Sequence, residues 1–157
     1  DGKEKVRRFS DDLLECMKRM KQSKLFALVR LFMPKDVREF FRTFVFPVID
    51  EYENKRKEGV DWIFYGAPLA MMFYTAPIGD PVDPTIAATY AMLAAESLGL
   101  GTCMLGFPGP MLKQDKALRQ KYGLPSKLTP GVAVIFGYPD VHYRRALRRR
   151  FADVKFV

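Results

Sequence analysis

Hydrophobic side chains in the first 60 residues recur at the spacing of an α-helix. The first series predicts an amphipathic helix with Ser10 as its N-cap, because Asp11 and Asp12 follow in the first turn, where carboxylates favour the helix dipole. The apolar members of this series are Leu13, Leu14, Met17 and Met20. We therefore expect residues 1–60 to begin with a helix that buries one face.

Residues 24–46 are richer in Leu, Phe and Val, and they are interrupted by Pro34 and followed by Pro47. Proline inside a helical pattern ends or kinks the helix, so two short helices are predicted, followed by a charged helical end closed by Gly59. The phenylalanines here are typical of a core or a subunit contact. A lid over a pocket is the alternative interpretation.

Two short apolar runs later in the chain favour buried strands. The first, residues 71–76, is bounded by Pro68 and Pro77, and the second, residues 132–138, ends before Pro139. Both are too short for a typical helix and are bounded by residues that end regular structure.

The clearest helix lies between these strands, with Asp83 as its N-cap, Pro84 at its first position and Gly99 after its end. Apolar residues surround its axis, so we expect it to be buried on all sides. A further helix is predicted from Met111 to Tyr122. The pattern predicts a domain of helices and short strands in which one long apolar helix is buried.

Composition agrees with one globular domain. The chain has 157 residues, 48% of them hydrophobic, which suffices for a core without disulfides or a structural metal. No repeat or linker divides it, so we expect one domain over residues 1–157, with a helical region (1–60) and a core region (61–157). Cys16 and Cys103 are isolated in sequence and are interpreted as structural thiols of a reduced, cytoplasmic protein.

The sequence also excludes several classes of site. His142 is the only histidine, which excludes a histidine-rich metal site and disfavours a Ser-His-Asp or Cys-His catalyst. We expect no membrane span, because the apolar stretch at residues 62–79 contains Gly66, Pro68 and Pro77.

The net charge of +8 is unevenly distributed. Residues 1–60 carry 15 basic and 11 acidic side chains, whereas residues 142–157 carry 6 and 1. This arginine-rich tail suits an anion, which could be nucleic acid, an acidic lipid surface or the phosphate of a cofactor. A solvated tail is the alternative. Nucleic acid is the least favoured partner, because no nucleic-acid-binding motif accompanies the arginines.

A glycine-rich segment, LGLGTCMLGFPGP at residues 98–110, follows the long helix. Its four glycines allow close approach of a ligand to the backbone and present amide donors. The segment is not a dinucleotide fingerprint, because it follows a helix instead of a strand. It is not a P-loop either, because the P-loop lysine is missing. Taken alone, it indicates an ordinary tight loop.

Several segments in one order resemble the nitroreductase family of FMN-dependent oxidoreductases. They are GAP with its apolar strand, IAATYAMLAAESLGLGTCMLGF, a helix ending in YGLP, VAVIFGYP, and HYRRALRRRFADVKFV. The resemblance covers about residues 62–157 and is weaker in the helical front. The AAESLGLGTC stretch and the GYP ending with its following arginines are its most specific parts.

The resemblance implies a cofactor site in the core region. Met104, Leu105 and Gly106 match the positions where family members bring backbone against the isoalloxazine ring of FMN, with an amide near N5. Arg149 and Arg150 match basic residues for the FMN phosphate, and Arg148 is the alternative in a shifted register. The family's N-terminal RRSxR-like and PSxxNxQPW-like segments do not occur here. We therefore expect a truncated chain, in preference to a shortened relative that has lost the cofactor.

The resemblance implies an α+β fold of nitroreductase type, in which helices cover a central, mainly antiparallel sheet and one long apolar helix is buried. The implied activity is that of an FMN-dependent oxidoreductase. NAD(P)H or a reduced carrier would supply electrons, and a nitroaromatic, a quinone or a similar small electrophile would receive them. The protein would position the rings and exclude water, with no catalytic side chain required. The resemblance also implies a homodimer with the flavin at its interface. The alternatives are a cofactor-free homodimeric binding protein of the same fold and, less favoured, a nucleic-acid binder using the basic tail.

Overall fold

A computed structural model describes residues 2–141. Its helices in the first half of the chain are α1 (Lys3–Gln22), α2 (Lys24–Leu31), α3 (Lys35–Phe40) and α4 (Phe46–Lys57), with a π-helical turn, Phe41–Val45, between the last two. The second half contains β1 (Leu69–Thr75), α5 (Asp83–Ser97), β2 (Gly101–Leu105), α6 (Pro108–Gln114), α7 (Lys116–Lys121) and β3 (Thr129–Gly137). The two predicted strands are confirmed as β1 and β3.

The three strands form an antiparallel sheet in the order β1, β3, β2. In its register, Met71 lies opposite Val134, and Cys103 lies opposite Ile135. The interpretation of residues 98–110 as an ordinary loop was wrong, because five of them form β2. This segment forms a strand because it pairs with β3, about 30 residues further along the chain. Local glycine content does not reveal such pairing.

Helices cover both faces of the sheet, as predicted. Side chains alternate across a strand, so Ala133 and Ile135 pack towards α1, α4 and α6, while Val134 and Phe136 pack towards α5. The larger core lies on the α1 side and includes the fully buried Phe64, whose ring stacks on Phe9 at 5.4 Å between centroids.

The expectation that α5 is buried on all sides was wrong. Pro84, Ala88 and Ala95 are buried against the sheet, whereas Tyr90 and Leu93 are 70% and 64% exposed. A helix packed on one sheet contacts it along one face, and residues 2–141 of one chain leave the opposite face of α5 exposed. Among the described residues, no helix is both long and apolar enough to cross a bilayer.

Long-range contacts also move several predicted helix ends. α1 begins at Lys3, and Ser10 is buried within it, where its hydroxyl donates to Asp61 Oδ1 at 2.6 Å, so Ser10 is not the N-cap. Pro47 does not end a helix either. It lies in the first turn of α4, where its missing N–H is tolerated. Gly59 follows α4 with φ of 84°, as predicted for a helix stop.

The predicted helix from Met111 to Tyr122 is two helices, α6 and α7. The break lies at Asp115, whose carboxylate accepts from the backbone N–H of Leu118 at 2.9 Å and caps α7. The same carboxylate binds Arg19 of α1 at 2.5 Å. A helix-capping aspartate thus starts a new helix where hydrophobic spacing alone indicates continuity.

Residues 24–45, here called the arm, protrude from the body of the fold. α2, α3 and the π-helical turn contain no buried residue. The ring of Phe26 packs edge-on to Phe41 at 5.2 Å and holds the two halves of the arm together. Phe32 is 84% exposed, so the arm presents apolar surface to the outside, while Val45 at its end packs against the core.

Candidate functional site

The segment Met104–Leu105–Gly106 lies at the carboxyl end of β2, on an edge of the sheet. Met104 pairs with Val134 and packs in the α5 cluster, while Leu105 pairs with Ala133 and packs in the α1 cluster. The two side chains therefore anchor the segment on opposite faces of the sheet. A ligand at this point meets the backbone and the space beside Gly106.

Gly106 leaves room for a ligand. A Cβ atom built on Gly106 would meet no atom within 4 Å outside its chain neighbours, so one face of the backbone is open. α6 starts two residues later, and no side chain caps its first turn. The first and third residues of α6 are prolines, which have no N–H group, so the amides available here to an acceptor atom of a planar ligand are those of Gly106 and Phe107, just before the helix.

Gly109 has a different role from Gly106. A Cβ atom at Gly109 would lie 2.3 Å from the carbonyl oxygen of Gly131, and one at Gly131 would lie 2.6 Å from the carbonyl oxygen of Phe73. Gly131 also contacts Pro84 of α5. The expectation that Gly109 serves ligand approach was wrong, since this glycine packs α6 against β3 and so fixes the position of Gly106.

Two cavities lie among the described residues, and Met104, Leu105 and Gly106 line neither. The first, of 420 Å³, has an apolar floor that includes Phe9 and Met72, with Lys5, Arg8 and Lys121 among its lining residues. The second, of 350 Å³, lies at the other end of β2, between Gly101 and Tyr138.

A polar cluster joins α1 to the end of α7. The Tyr122 hydroxyl donates to Asp12 Oδ2 at 2.5 Å, and Lys121 lies 2.7 Å from the same oxygen. Burial alone would raise the pKa of Asp12, but hydrogen bonds from Lys121 and Tyr122 lower it below the ordinary value of 3.8. Burial and the hydrogen bond to Asp12 raise the pKa of Tyr122.

Sequence reasoning missed this cluster, because its members are 110 residues apart. It lies beside the first cavity, which Tyr122 and Lys121 also line. The hydrogen bond between Asp12 and Tyr122 favours a charged carboxylate and a protonated hydroxyl, and its role is structural. They tie two helices together and are not placed at Gly106.

The cysteines differ from each other. Cys16 is buried in α1, where burial and the neighbouring Asp115 raise the pKa of its thiol. Cys103 is exposed on β2, so its interpretation as a buried structural thiol was wrong. β2 is an edge strand with a neighbouring strand on one side only, so the side chain of Cys103 has less cover than one in the central strand.

The predicted phosphate contacts Arg149 and Arg150, and the alternative Arg148, lie outside the described residues, as does His142. Within residues 2–141, no three His, Cys, Asp or Glu side chains are grouped so that they could hold a metal ion.

Comparisons with known proteins identify the family. The family model of the nitroreductases matches residues 1–138, so the chain belongs to the nitroreductase family. This match includes the helical front, where the sequence resemblance was weak, and ends before the arginine-rich tail. A search of curated proteins finds no match to the chain.

Among solved structures, the chain is similar to a nitroreductase with bound FMN from Bacteroides fragilis, with a TM-score of 0.59 and 16% identity. The similarity covers 95% of this chain and 70% of that one. An FMN-dependent nitroreductase from Mycobacterium smegmatis, in complex with NADPH, matches with a TM-score of 0.46 and 17% identity over 92% of this chain and 75% of that one. The first of these similarities confirms the predicted α+β nitroreductase fold.

Proposed function

We propose that this chain is an FMN-dependent oxidoreductase of the nitroreductase type. The observation that supports it most directly is the open backbone at Gly106, on the end of β2, in a chain that belongs to the nitroreductase family. The bound FMN of the Bacteroides fragilis protein of similar fold supports the choice of cofactor. When bound, FMN supplies the electron and hydride chemistry.

The residues around Gly106 fit a planar cofactor. Met104 and Leu105 are packed into two separate clusters, so the backbone between them is held in place before a ligand arrives. Gly106 lets a ring lie against that backbone, and nearby amides donate hydrogen bonds to acceptor atoms on its edge. Arg149 and Arg150 would hold the phosphate through paired guanidinium hydrogen bonds.

Electron donor and acceptor follow from the same proposal. NAD(P)H or a reduced carrier is the donor, and a nitroaromatic, a quinone or a similar small electrophile is the acceptor. The protein's contribution is orientation and exclusion of water, for which the apolar surroundings of Met104 are suited. No acid or base side chain lies in the Met104–Gly106 segment, in agreement with chemistry carried by a cofactor.

The proposed assembly is a homodimer. The exposed apolar stripe of α5 and the exposed arm both need cover. A second copy would supply it. We further propose that residues 1–157 form one domain, because Arg19 in the helical front binds Asp115 in the core region. We also propose that the protein is cytoplasmic.

The first experiment is a titration of the purified chain with FMN, followed by visible absorption and flavin fluorescence. The double variant Arg149→Ala and Arg150→Ala is expected to weaken FMN binding at least tenfold, because it removes the charge-assisted hydrogen bonds of two guanidinium groups to the phosphate. Lys155→Ala removes a basic residue from the same tail and is the matched control, with affinity unchanged.

The titration also separates the alternatives. Equal affinity of the double variant and the unmodified chain would overturn the phosphate assignment. A folded dimer that never binds FMN would favour the cofactor-free binding protein. Affinity for nucleic acid that falls steeply with salt and depends on the same arginines would favour the nucleic-acid binder.

A further inference from the structure

The first cavity is separate from the proposed cofactor site. Its lining includes Met72 of β1 and Ala133 of β3. In the register of the sheet, Ala133 pairs with Met72 on one side and with Leu105 on the other. Neighbouring strands are about 4.8 Å apart, so Met72 lies roughly 10 Å from Leu105, which precedes Gly106. A molecule in this cavity would therefore be a second ligand of the chain, apart from the cofactor.

The floor of the cavity is apolar and is held in place by packing. Val6 and Ala133 are 5% and 1% exposed, and Phe9 packs against the same core cluster. The ring of Phe9 stacks on Phe64 at 5.4 Å between centroids and meets the ring of Tyr122 edge-on at 4.6 Å. Preformed apolar cavities of about 300–1,000 Å³ are typical of small-molecule sites, and this one measures 420 Å³.

Positive charge lies at the rim of this cavity. The described residues that line it include three exposed basic side chains, Lys5, Arg8 and Lys121, and no acidic one. Lys5 and Arg8 are three residues apart on α1 and so share one face of that helix, while Lys121 belongs to the end of α7. Guanidinium and ammonium groups around an apolar floor suit an anion that also has an apolar part.

The acidic partners of Arg8 and Lys121 do not close the cavity. Glu4 accepts a hydrogen bond from Arg8 at 2.5 Å, but both side chains are more than two-thirds exposed, so this pair contributes little to stability. A guanidinium group has five N–H donors, and most of them remain for a ligand. Asp12 lies 2.7 Å from Lys121 and is not among the lining residues, so it holds the ammonium group at the rim from outside.

We propose that this cavity binds a small carboxylate with an apolar body. The carboxylate accepts hydrogen bonds from Arg8 and Lys121, and the apolar body lies against Phe9 and Met72. Both parts are needed, since a neutral molecule lacks the charge-assisted hydrogen bonds and a bare anion such as acetate buries no apolar surface. The inference is independent of the proposed function, because the Met104–Gly106 segment does not line the cavity.

Isothermal titration calorimetry with two matched probes tests the proposal. The probes 1-naphthoate and 1-naphthamide share an apolar body and differ in charge. We expect naphthoate to bind at least tenfold more tightly, because it alone carries a negative charge to the basic rim. Octanoate replaces the flat ring with a flexible chain. Tighter binding of octanoate or of naphthoate assigns the natural ligand to the alkyl or to the aryl carboxylates, and either result supports the proposal.

Variants separate the two parts of the site. Arg8→Gln is expected to weaken naphthoate binding at least fivefold and to leave naphthamide binding unchanged. Arg7→Gln is the matched control, because Arg7 is also exposed on α1 and does not line the cavity. Ala70→Leu narrows the cavity and is expected to weaken both probes at least tenfold. Thermal denaturation checks that each variant folds. If Ala70→Leu does not fold, Leu124→Ala removes part of the apolar lining instead and is expected to weaken both probes at least threefold.

Four results would overturn the inference. Three are no binding of naphthoate at millimolar concentration, equal affinities for naphthoate and naphthamide, and equal effects of Arg8→Gln and Arg7→Gln. The fourth is displacement of naphthoate by FMN, which would assign the cavity to the cofactor; we expect FMN to bind the naphthoate-saturated chain with unchanged affinity. A chain that binds naphthoate and never binds FMN counts against the proposed function and leaves this inference intact.

Discussion

Gly131 shows how a single residue positions the proposed site. It allows β3 to contact α5, β1 and α6 at one point, through Pro84, the backbone of Phe73 and Gly109. A methyl group added to Gly131 would meet the ring of Pro84 at 2.3 Å and the backbone carbonyl oxygen of Phe73 at 2.6 Å, and neither group can turn away. The location of α6, and hence of Gly106, depends on this contact.

We predict that Gly131→Ala lowers the free energy of unfolding by about 1–3 kcal/mol, as overpacking in a tight contact does. Gly106→Ala adds the same methyl group where nothing lies within 4 Å and is expected to change stability by less than about 0.5 kcal/mol. Urea denaturation of the three proteins measures both effects. Equal stabilities would show that β3 and α5 are not in the close contact described.

At the scale of elements, α1 is joined to the end of α7 by Asp12 and Tyr122. The pKa of Asp12 is lowered on folding, so its stabilising contribution is complete above pH 3.8 and is lost as the pH falls through the lower value of the folded state. The pKa of Tyr122 is raised, so its contribution is complete below pH 10 and is lost as the pH rises through the raised value of the folded state.

Tyr122→Phe is therefore expected to flatten the stability profile at both ends. The variant loses the tyrosine titration on the alkaline side, and it removes one hydrogen bond that lowers the pKa of Asp12 on the acid side. Thermal denaturation between pH 2 and pH 11 measures the profile. Tyr52→Phe is the control for the acid side. Burial and the neighbouring Tyr65 raise the pKa of Tyr52, so this variant is expected to flatten the alkaline side only. Identical profiles for Tyr122→Phe and the unmodified chain would exclude the coupling.

Elements with local signals could be predicted from the sequence. β1 and β3 are bounded by prolines and glycines, and α4 and α5 end at Gly59 and Gly99, both with positive φ. β2 could not, because its partner strand lies far along the chain. The exposure of α5 could not either, since its composition indicates that the helix needs cover without saying that the sheet covers only one of its faces.

At the scale of the whole molecule, only part of the candidate site could be predicted from the sequence. Met104, Leu105 and Gly106 are assigned to the cofactor by resemblance to the nitroreductase family, and this assignment stays a prediction. The structure gives these residues two anchored side chains and one open glycine. The separate roles of Gly106 and Gly109 could not be predicted, because they depend on which backbone lies opposite. The assignment of Arg149 and Arg150 stays a prediction.

The measurement that tests the central claim most directly is FMN binding by the Gly106→Leu variant, followed by visible absorption. The unmodified chain is expected to bind FMN with a two-banded yellow spectrum. A Cβ atom at Gly106 meets nothing within 4 Å outside its chain neighbours, so Gly106→Leu is expected to keep its thermal stability and lose at least tenfold in affinity. Ser126→Leu, on an exposed loop, is the control with unchanged affinity. Full affinity in Gly106→Leu, or no FMN binding by the unmodified chain, would contradict the account.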